Sequence, residues 1–339
     1  MSEFTYKKSG VDVAAADRLI GDYRTLSEKA GTSNVLAGVG GFAGFYLLPP
    51  GYEQPVLVAC TDGVGTKLRL LIDRGLAGTA GRDAAAMCLN DLATCGAAPL
   101  FMLDYLAVGQ LEPAQAREVV AGFADYCRRA GCALLGGETA EMPGFYPPGD
   151  FEVAGFALGV VEKEKIVDGR DTEAGDLVLG LASSGLHSNG FSLVRLLLEQ
   201  GLLDQELDCG GVPLGQVLVR PTRLYTPLAQ ALARMPGVKA MAHITGGGLP
   251  GNVGRTIPKD LDVVIEARSW PRPPVFDLIA KAGVAWPEML ATFNLGIGYT
   301  LVVGRDRANR VIAFCRRKGF SAWIIGSLRQ GRGQVVVND

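Results

Sequence analysis

The sequence predicts an α/β protein of two domains, and three observations carry that prediction. The chain has 339 residues, 48% hydrophobic and 20% charged, which is enough apolar material for two cores. It holds 46 glycines, roughly twice the share of an average protein. They gather between apolar segments without a period, so collagen-like and linker readings fail. The third observation is a local device used in both halves: a β-branched apolar run, a polar glycine loop, then a helical run.

Taken in order, residues 7–12 read as a loop or arm and 14–30 have helical spacing. Residues 38–44 form the densest glycine loop; Phe42 and the apolar run 45–48 favour a packed loop entering a strand over a flexible linker. Residues 55–59 read as a buried strand and 68–75 as a short helix closed by Gly75. A helix follows, N-capped by Asp83 or a near neighbour and stopped at Gly96. Residues 99–108 read as a strand with one internal acid, Asp104. Then come an amphipathic helix over 112–130, a buried strand over 132–135 and a strand over 151–162. The charged, turn-rich stretch 162–171 marks the boundary, giving domains 1–168 and 169–339. The second domain alternates strands (176–182, 238–244, 262–266, 298–304, 322–328) with helices (191–200, 221–235, 274–282, 288–294, 307–318).

The chemistry gathers at the junctions. Residues 60–67 put Asp62, Gly63, Gly65, Thr66 and Lys67 where a strand hands over to a helix. Backbone N–H groups there favour phosphate, the glycines admit close approach, Lys67 can meet a phosphate and Asp62 can hold Mg²⁺. Neither a Walker A loop nor the dinucleotide glycine pattern is present, and alone the stretch equally describes a tight turn. Asp91 lies in an almost wholly apolar helix, where an acid is costly unless paired or bound to a cation; the alternative is that it faces solvent. Glu138 and Glu141, flanked by glycines at a strand's end, read as a site or as an exposed acidic turn. The two histidines, His187 and His243, both lie in polar glycine loops, 183–190 and 243–248. Such residues are usually structural, but imidazole can move protons near neutral pH.

Composition excludes several classes. Net charge is −2 with mixed signs, so no nucleic-acid footprint exists. No apolar run reaches membrane-spanning length, and the N-terminus lacks a signal-peptide core. Seven cysteines without a Cys-x-x-Cys pair suit reduced thiols in a cytoplasmic protein, and two histidines make a zinc site a poor reading.

With these segments in hand, the chain resembles the aminoimidazole ribonucleotide synthetase (phosphoribosylformylglycinamidine cyclo-ligase) family of purine biosynthesis. The matching stretches are Tyr6-Lys7, Gly10-Val11-Asp12, 38–44, 61–67, 86–92, Leu103-Asp104-Tyr105, 136–144, 183–190, 242–248, 292–294 and 296–298. They run in the family's order along nearly the whole chain. Thiamine-monophosphate kinase and selenophosphate synthetase share the nucleotide half but not the 136–144 and 183–190 pair. Ala43 and Pro274 depart from the family's commoner residues.

The resemblance implies two mixed-sheet domains. The first would bind ATP and metal and pair across a homodimer into a β-barrel; the second, an α/β sandwich, would bind a small ribonucleotide. It implies ATP-dependent ring closure of formylglycinamidine ribonucleotide through an iminophosphate, with a small-molecule kinase as the alternative and a non-enzymatic nucleotide binder behind it. Asp62, Asp91 and Glu138 would hold Mg²⁺. Lys7, Gly40, Gly41, Gly63, Gly65, Thr66 and Lys67 would contact ATP. Glu141, Ser184, His187, Ser188, Asn189, His243, Thr245, Gly246 and Gly247 would contact the substrate. His187, Lys67 and Glu138 would be catalytic. No nucleic acid or membrane partner is implied.

Overall fold

The computed structural model describes residue 4, residues 7–11 and residues 13–338. The chain divides into two compact units. One holds the chain up to Leu92 with Ala98–Lys163, and the other holds Ala93–Ala97 with Glu164 onward.

The first unit runs α1 (Val13–Lys29), β1 (Val35–Ala37), β2 (Phe45–Tyr46), β3 (Pro55–Gly63), α2 (Lys67–Asp73), α3 (Ala77–Ala93), β4 (Ala98–Val108), α4 (Pro113–Ala130), β5 (Ala133–Glu141) and β6 (Phe151–Glu162). Four strands form a mixed sheet in the order β3-β6-β4-β5. β6 is antiparallel to β3 and β4, while β4 and β5 are parallel and joined by the α4 crossover. α4 forms because Ala116, Val119, Val120, Phe123 and Cys127 recur on one face, with Pro113 in its first turn and Gly131 closing it in the left-handed region. That face packs on α1, β4 and β5.

The opposite face of the sheet is open. Along β6 the inward Val153, Gly155 and Ala157 alternate with the outward Glu152 and Phe156. Leu57 is 59% exposed, Tyr105 45% and Phe156 38%, so an apolar sheet surface lies uncovered by this chain. The sheet is not closed, and the barrel implied by the resemblance is absent from the single chain.

The second unit runs β7 (Leu177–Ala182), α5 (Phe191–Glu199), α6 (Leu214–Leu218), α7 (Thr226–Ala233), β8 (Val238–His243), α8 (Gly248–Val253), β9 (Leu261–Glu266), α9 (Pro274–Lys281), α10 (Trp286–Thr292), β10 (Ile297–Val303), α11 (Ala308–Arg317), β11 (Ala322–Gln330) and β12 (Val335–Asn338). Its six strands follow the order β12-β9-β11-β7-β10-β8. All pairings are antiparallel except β12 with β9. Leu177, Leu179 and Leu181 of β7 pack with Leu228 and Leu232 of α7 and with Val311 and Cys315 of α11.

Several elements differ from expectation. β3 runs to Gly63 and β5 to Glu141, so residues expected in loops extend their strands. α3 starts at Ala77, which makes Asp83 a mid-helix residue and not a cap. The helix expected over 221–235 begins only at Thr226, after Pro221. The short α6 and the terminal strand β12 have too little periodicity to be read from sequence.

Candidate active site

In the first unit the strand-to-helix junction holds Asp62 at the end of β3, where its Oδ1 accepts the Gly63 amide at 2.8 Å. Thr61 Oγ1 donates to the Gly155 carbonyl at 2.8 Å and fixes the strand end. Gly65 and Thr66 are exposed, so their backbone is open to a ligand. Lys67 is not. Its Nζ is 2.6 Å from Asp83 Oδ2, and neither side chain has any exposure. Sequence reading expects Lys67 to meet a phosphate; here burial pushes its ammonium below the usual lysine range while Asp83 opposes the shift. An apolar stretch leaves a lysine no route to water, so the chain supplies a carboxylate within the helix packed above it.

The acids fall into register across the sheet. Asp62 pairs with Gly155, Gly155 with Asp104, and Asp104 with Gly137. Paired residues share a face, so Asp62 and Asp104 stand two strand spacings apart, about 10 Å. Met102, Cys88 and Phe123 crowd the space over Gly155 between them. Asp91 is half-buried on α3, one turn beyond Cys88, whose thiol reaches the Asp62 carbonyl at 3.7 Å. Among the described residues no three His, Cys, Asp or Glu side chains converge as a metal cage, so Asp62, Asp91 and Glu138 do not form a preassembled triad.

Glu138 instead lines a cavity of about 320 Å³ with Gly40, Gly41, Tyr23 and Asp104. This cavity brings together three expected site residues and adds two that the sequence reading left out. Asp104 is buried, and desolvation, helped by the nearby Glu138, pushes its carboxyl up to about 7. Its Oδ1 lies over Gly137, where a Cβ would sit 2.2 Å away, so only glycine leaves the carboxyl room. Tyr23 Oη is 3.3 Å from Thr139 Oγ1, and burial pushes the phenol up to about 12. Glu141, expected to contact substrate, is half-buried, and its Oε1 accepts the Leu111 amide at 2.9 Å, so that oxygen shapes the loop before α4. Lys7 opens a short turn, Lys7–Ser9, but its side chain, like Tyr6 and Asp12, lies outside the described residues.

In the second unit the two histidine loops meet. The rings of His187 and His243 lie 6.4 Å apart, beside Tyr225 and Tyr299, which stack at 5.1 Å. Asn189 Nδ2 approaches Gly246. His187 has φ 63°, a conformation L-residues adopt rarely, and its Nε2 accepts the Ser184 amide at 3.1 Å. It is 2% exposed. Sequence reading makes His187 the first candidate for proton transfer; here Nε2 is engaged by its own loop, and protonating it would break that bond. Ser188 is also buried, with its hydroxyl 2.9 Å from that of Thr222. Ser184 Oγ donates to the Pro221 carbonyl at 2.7 Å. Gly246 and Gly247 are exposed, and Thr245 is half-exposed.

Two organising residues were missed. Asn252 Nδ2 donates to the carbonyls of Gly246 and Gly248 and so fixes the glycine loop. Gly298 is the other: a Cβ there would lie 2.3 Å from both His187 Cε1 and Tyr225 Oη. Asn252 acts within its own turn, four and six residues on from the carbonyls it holds, whereas Gly298 acts on His187 and Tyr225 from far along the chain. Asp104 did carry a local signal, as an acid inside an apolar strand.

Residues 47–161 match the family model described as AIR synthase related protein, N-terminal domain. Residues 173–338 match AIR synthase related protein, C-terminal domain. A phosphoribosylformylglycinamidine cyclo-ligase from Myxococcus xanthus is 49% identical over 337 residues, covering 98% of each chain. The chain belongs to the phosphoribosylformylglycinamidine cyclo-ligase family. A cyclo-ligase from Carboxydothermus hydrogenoformans is 47% identical over the full length of both chains. Solved structures similar to this cyclo-ligase family member include thiamine-monophosphate kinase from Stenotrophomonas maltophilia, with TM-score 0.69, 20% identity and coverage of 97% and 96%. The hydrogenase maturation protein HypE in complex with ATP follows at TM-score 0.68 and 18% identity, covering 97% of this chain and 93% of that one. At such identities these likenesses show the shared fold alone.

Proposed function

We propose that the chain is an ATP-dependent cyclo-ligase converting formylglycinamidine ribonucleotide to aminoimidazole ribonucleotide, ADP and phosphate. One observation carries this reading: identity near 48% along 98% of the chain to enzymes of that name. The kinase reading draws only on a likeness of 20%.

The chemistry asks for positioning. A formamide oxygen leaves poorly. ATP supplies a phosphoryl group to that oxygen, the substrate's amidine nitrogen attacks the formyl carbon, and the C–O bond breaks as phosphate departs. Holding a near-attack geometry can be worth about 7–11 kcal/mol. In the first unit the exposed backbone at Gly65 and Thr66 suits phosphate oxygens, and Gly40 and Gly41 line the nucleotide cavity. Asp62 and Asp91 would hold Mg²⁺. Two carboxylates completed by phosphate oxygens and water are what this cation takes, which suits a donor set short of a full cage. In the second unit Asn189, Thr245, Gly246 and Gly247 would bind the ribonucleotide, while His187, Tyr225 and Asn252 set the shape of their loops.

The uncovered apolar face of the first unit's sheet supports a homodimer formed through it. Seven free thiols suit a reducing cytoplasm. The test incubates the protein with formylglycinamidine ribonucleotide and Mg-ATP, following phosphate and diazotisable aminoimidazole together. Equal yields that need both substrates support the reading. ATP consumption without imidazole overturns it in favour of a kinase.

A further inference from the structure

The stretches 292–294 and 296–298 carry part of the family resemblance, yet only Gly298 among them has a part in the site described above. They join α10 to β10. Ile297 at the start of β10 pairs with Ala182 at the end of β7, and Tyr299 with His243 at the end of β8. This connection and the two histidine loops therefore meet at one end of the sheet. Among the described non-glycine residues only His187, with φ 63°, and Leu295, with φ 50°, lie in the left-handed region. Both are buried, and an L-residue keeps that conformation only where its surroundings impose it. One strained residue thus stands in each of two loops that touch.

Hydrogen bonds stitch these loops together. Asn294 Nδ2 donates to the Gly185 carbonyl at 2.9 Å, while its Oδ1 accepts the Gly296 amide at 2.8 Å. The Ser183 amide donates to the Gly296 carbonyl at 2.9 Å, and Trp270 Nε1 to the Leu295 carbonyl at 2.9 Å. The packing is as close. A Cβ on Gly190 would lie 2.2 Å from the Phe293 ring, and one on Gly248 would lie 3.1 Å from the Phe293 carbonyl. One short connection therefore supports both the loop that presents Asn189 and the loop that presents Gly246 and Gly247.

We propose that Asn294 is a positioning residue for ribonucleotide binding, whose carboxamide ties the Gly185 carbonyl to the Leu295-Gly296 turn and so fixes the loop carrying Asn189. The inference rests on the ribonucleotide reading of the second unit given above. A carboxamide suits the place because it must donate on one side and accept on the other. An ionised aspartate has the same shape but accepts on both sides and donates on neither. Asn294 is buried, so a Gly185 carbonyl released from it gains no ready substitute.

The experiment compares the full-length wild type with Asn294→Asp, which keeps the acceptor for Gly296 and loses the donor to Gly185. Both are titrated calorimetrically with formylglycinamidine ribonucleotide and, separately, with Mg-ATP, well below their melting temperatures. Ribonucleotide binding should weaken roughly 10- to 100-fold, the range for leaving a buried polar group without its partner, and Mg-ATP affinity should be unchanged. In turnover the ribonucleotide KM should rise by a like factor and kcat fall less. The chain has two histidines, so each imidazole gives its own proton resonance, and His187→Asn assigns them. The His187 line should move in Asn294→Asp, and the His243 line should move less. Unchanged ribonucleotide affinity overturns the proposal, as does an equal loss of both ligands, which would mark a general weakening of the fold. Should the added charge prevent folding, Asn294→Ala decides: the same split between ligands is expected, and wild-type ribonucleotide affinity refutes the assignment. If the wild type itself bound no ribonucleotide, the proposed activity would fall, and the His187 line would still judge the tie between the loops, an unmoved line refuting it.

Discussion

Lys67 offers the sharpest division between two roles. By sequence it sits where a phosphate-binding lysine belongs, yet the structure buries its ammonium 2.6 Å from Asp83 with no exposure on either side. Replacing Lys67 with Met leaves the buried Asp83 carboxylate without that ammonium. Breaking such a pair from one side costs about 3–5 kcal/mol. For a unit of this size each kcal/mol moves the melting temperature by about 2–4 °C, so Lys67→Met should melt about 6–20 °C lower. The double variant Lys67→Met/Asp83→Leu removes both charges and should recover most of the loss, since an apolar pair of similar volume often replaces a buried ion pair without penalty. Calorimetry on the two variants and on Asp83→Leu completes the cycle, with turnover measured well below each melting temperature. If Lys67→Met melted like the wild type but had lost all turnover, the ammonium would be acting on a ligand and the burial argument would fail.

Three further outcomes are expected. The Asp104 carboxyl is raised to about 7, so the folded state keeps a proton that the unfolded chain releases from near pH 4. Its contribution therefore lowers stability as pH rises across that window, by about 4 kcal/mol in all. Asp104→Asn should match the wild type at pH 4 and exceed it in urea unfolding at pH 8; an equal difference at both pH values would refute the burial reading. Gly298→Ala forces a methyl group to 2.3 Å from His187 and Tyr225, and should cost about 1–3 kcal/mol and raise the ribonucleotide KM while leaving nucleotide affinity in place. Leu57→Asp puts a charge on the open sheet face, and sedimentation should show a monomer; a persistent dimer would exclude that face as the interface.

The sequence by itself determined which segments are strands and helices wherever periodicity was long, as in α4 and β6, because a buried face must recur at the period of its element. It also determined the family, through motifs that run the length of the chain. Short elements such as α6 and β12 escaped it, being too brief to display a period. Only the tertiary structure decided where side chains point. Lys67 and Glu141 occupy site-like stretches yet engage Asp83 and Leu111, and His187 accepts its own loop's amide. Asp104, noted in sequence only as an acid inside a strand, becomes part of a cavity once Gly137 and Glu138 arrive beside it on β5. The physical reason is common to all four. Periodicity is a property of neighbours in the chain, whereas a charge's partner and its access to water are set by strands and helices that pair from far along it.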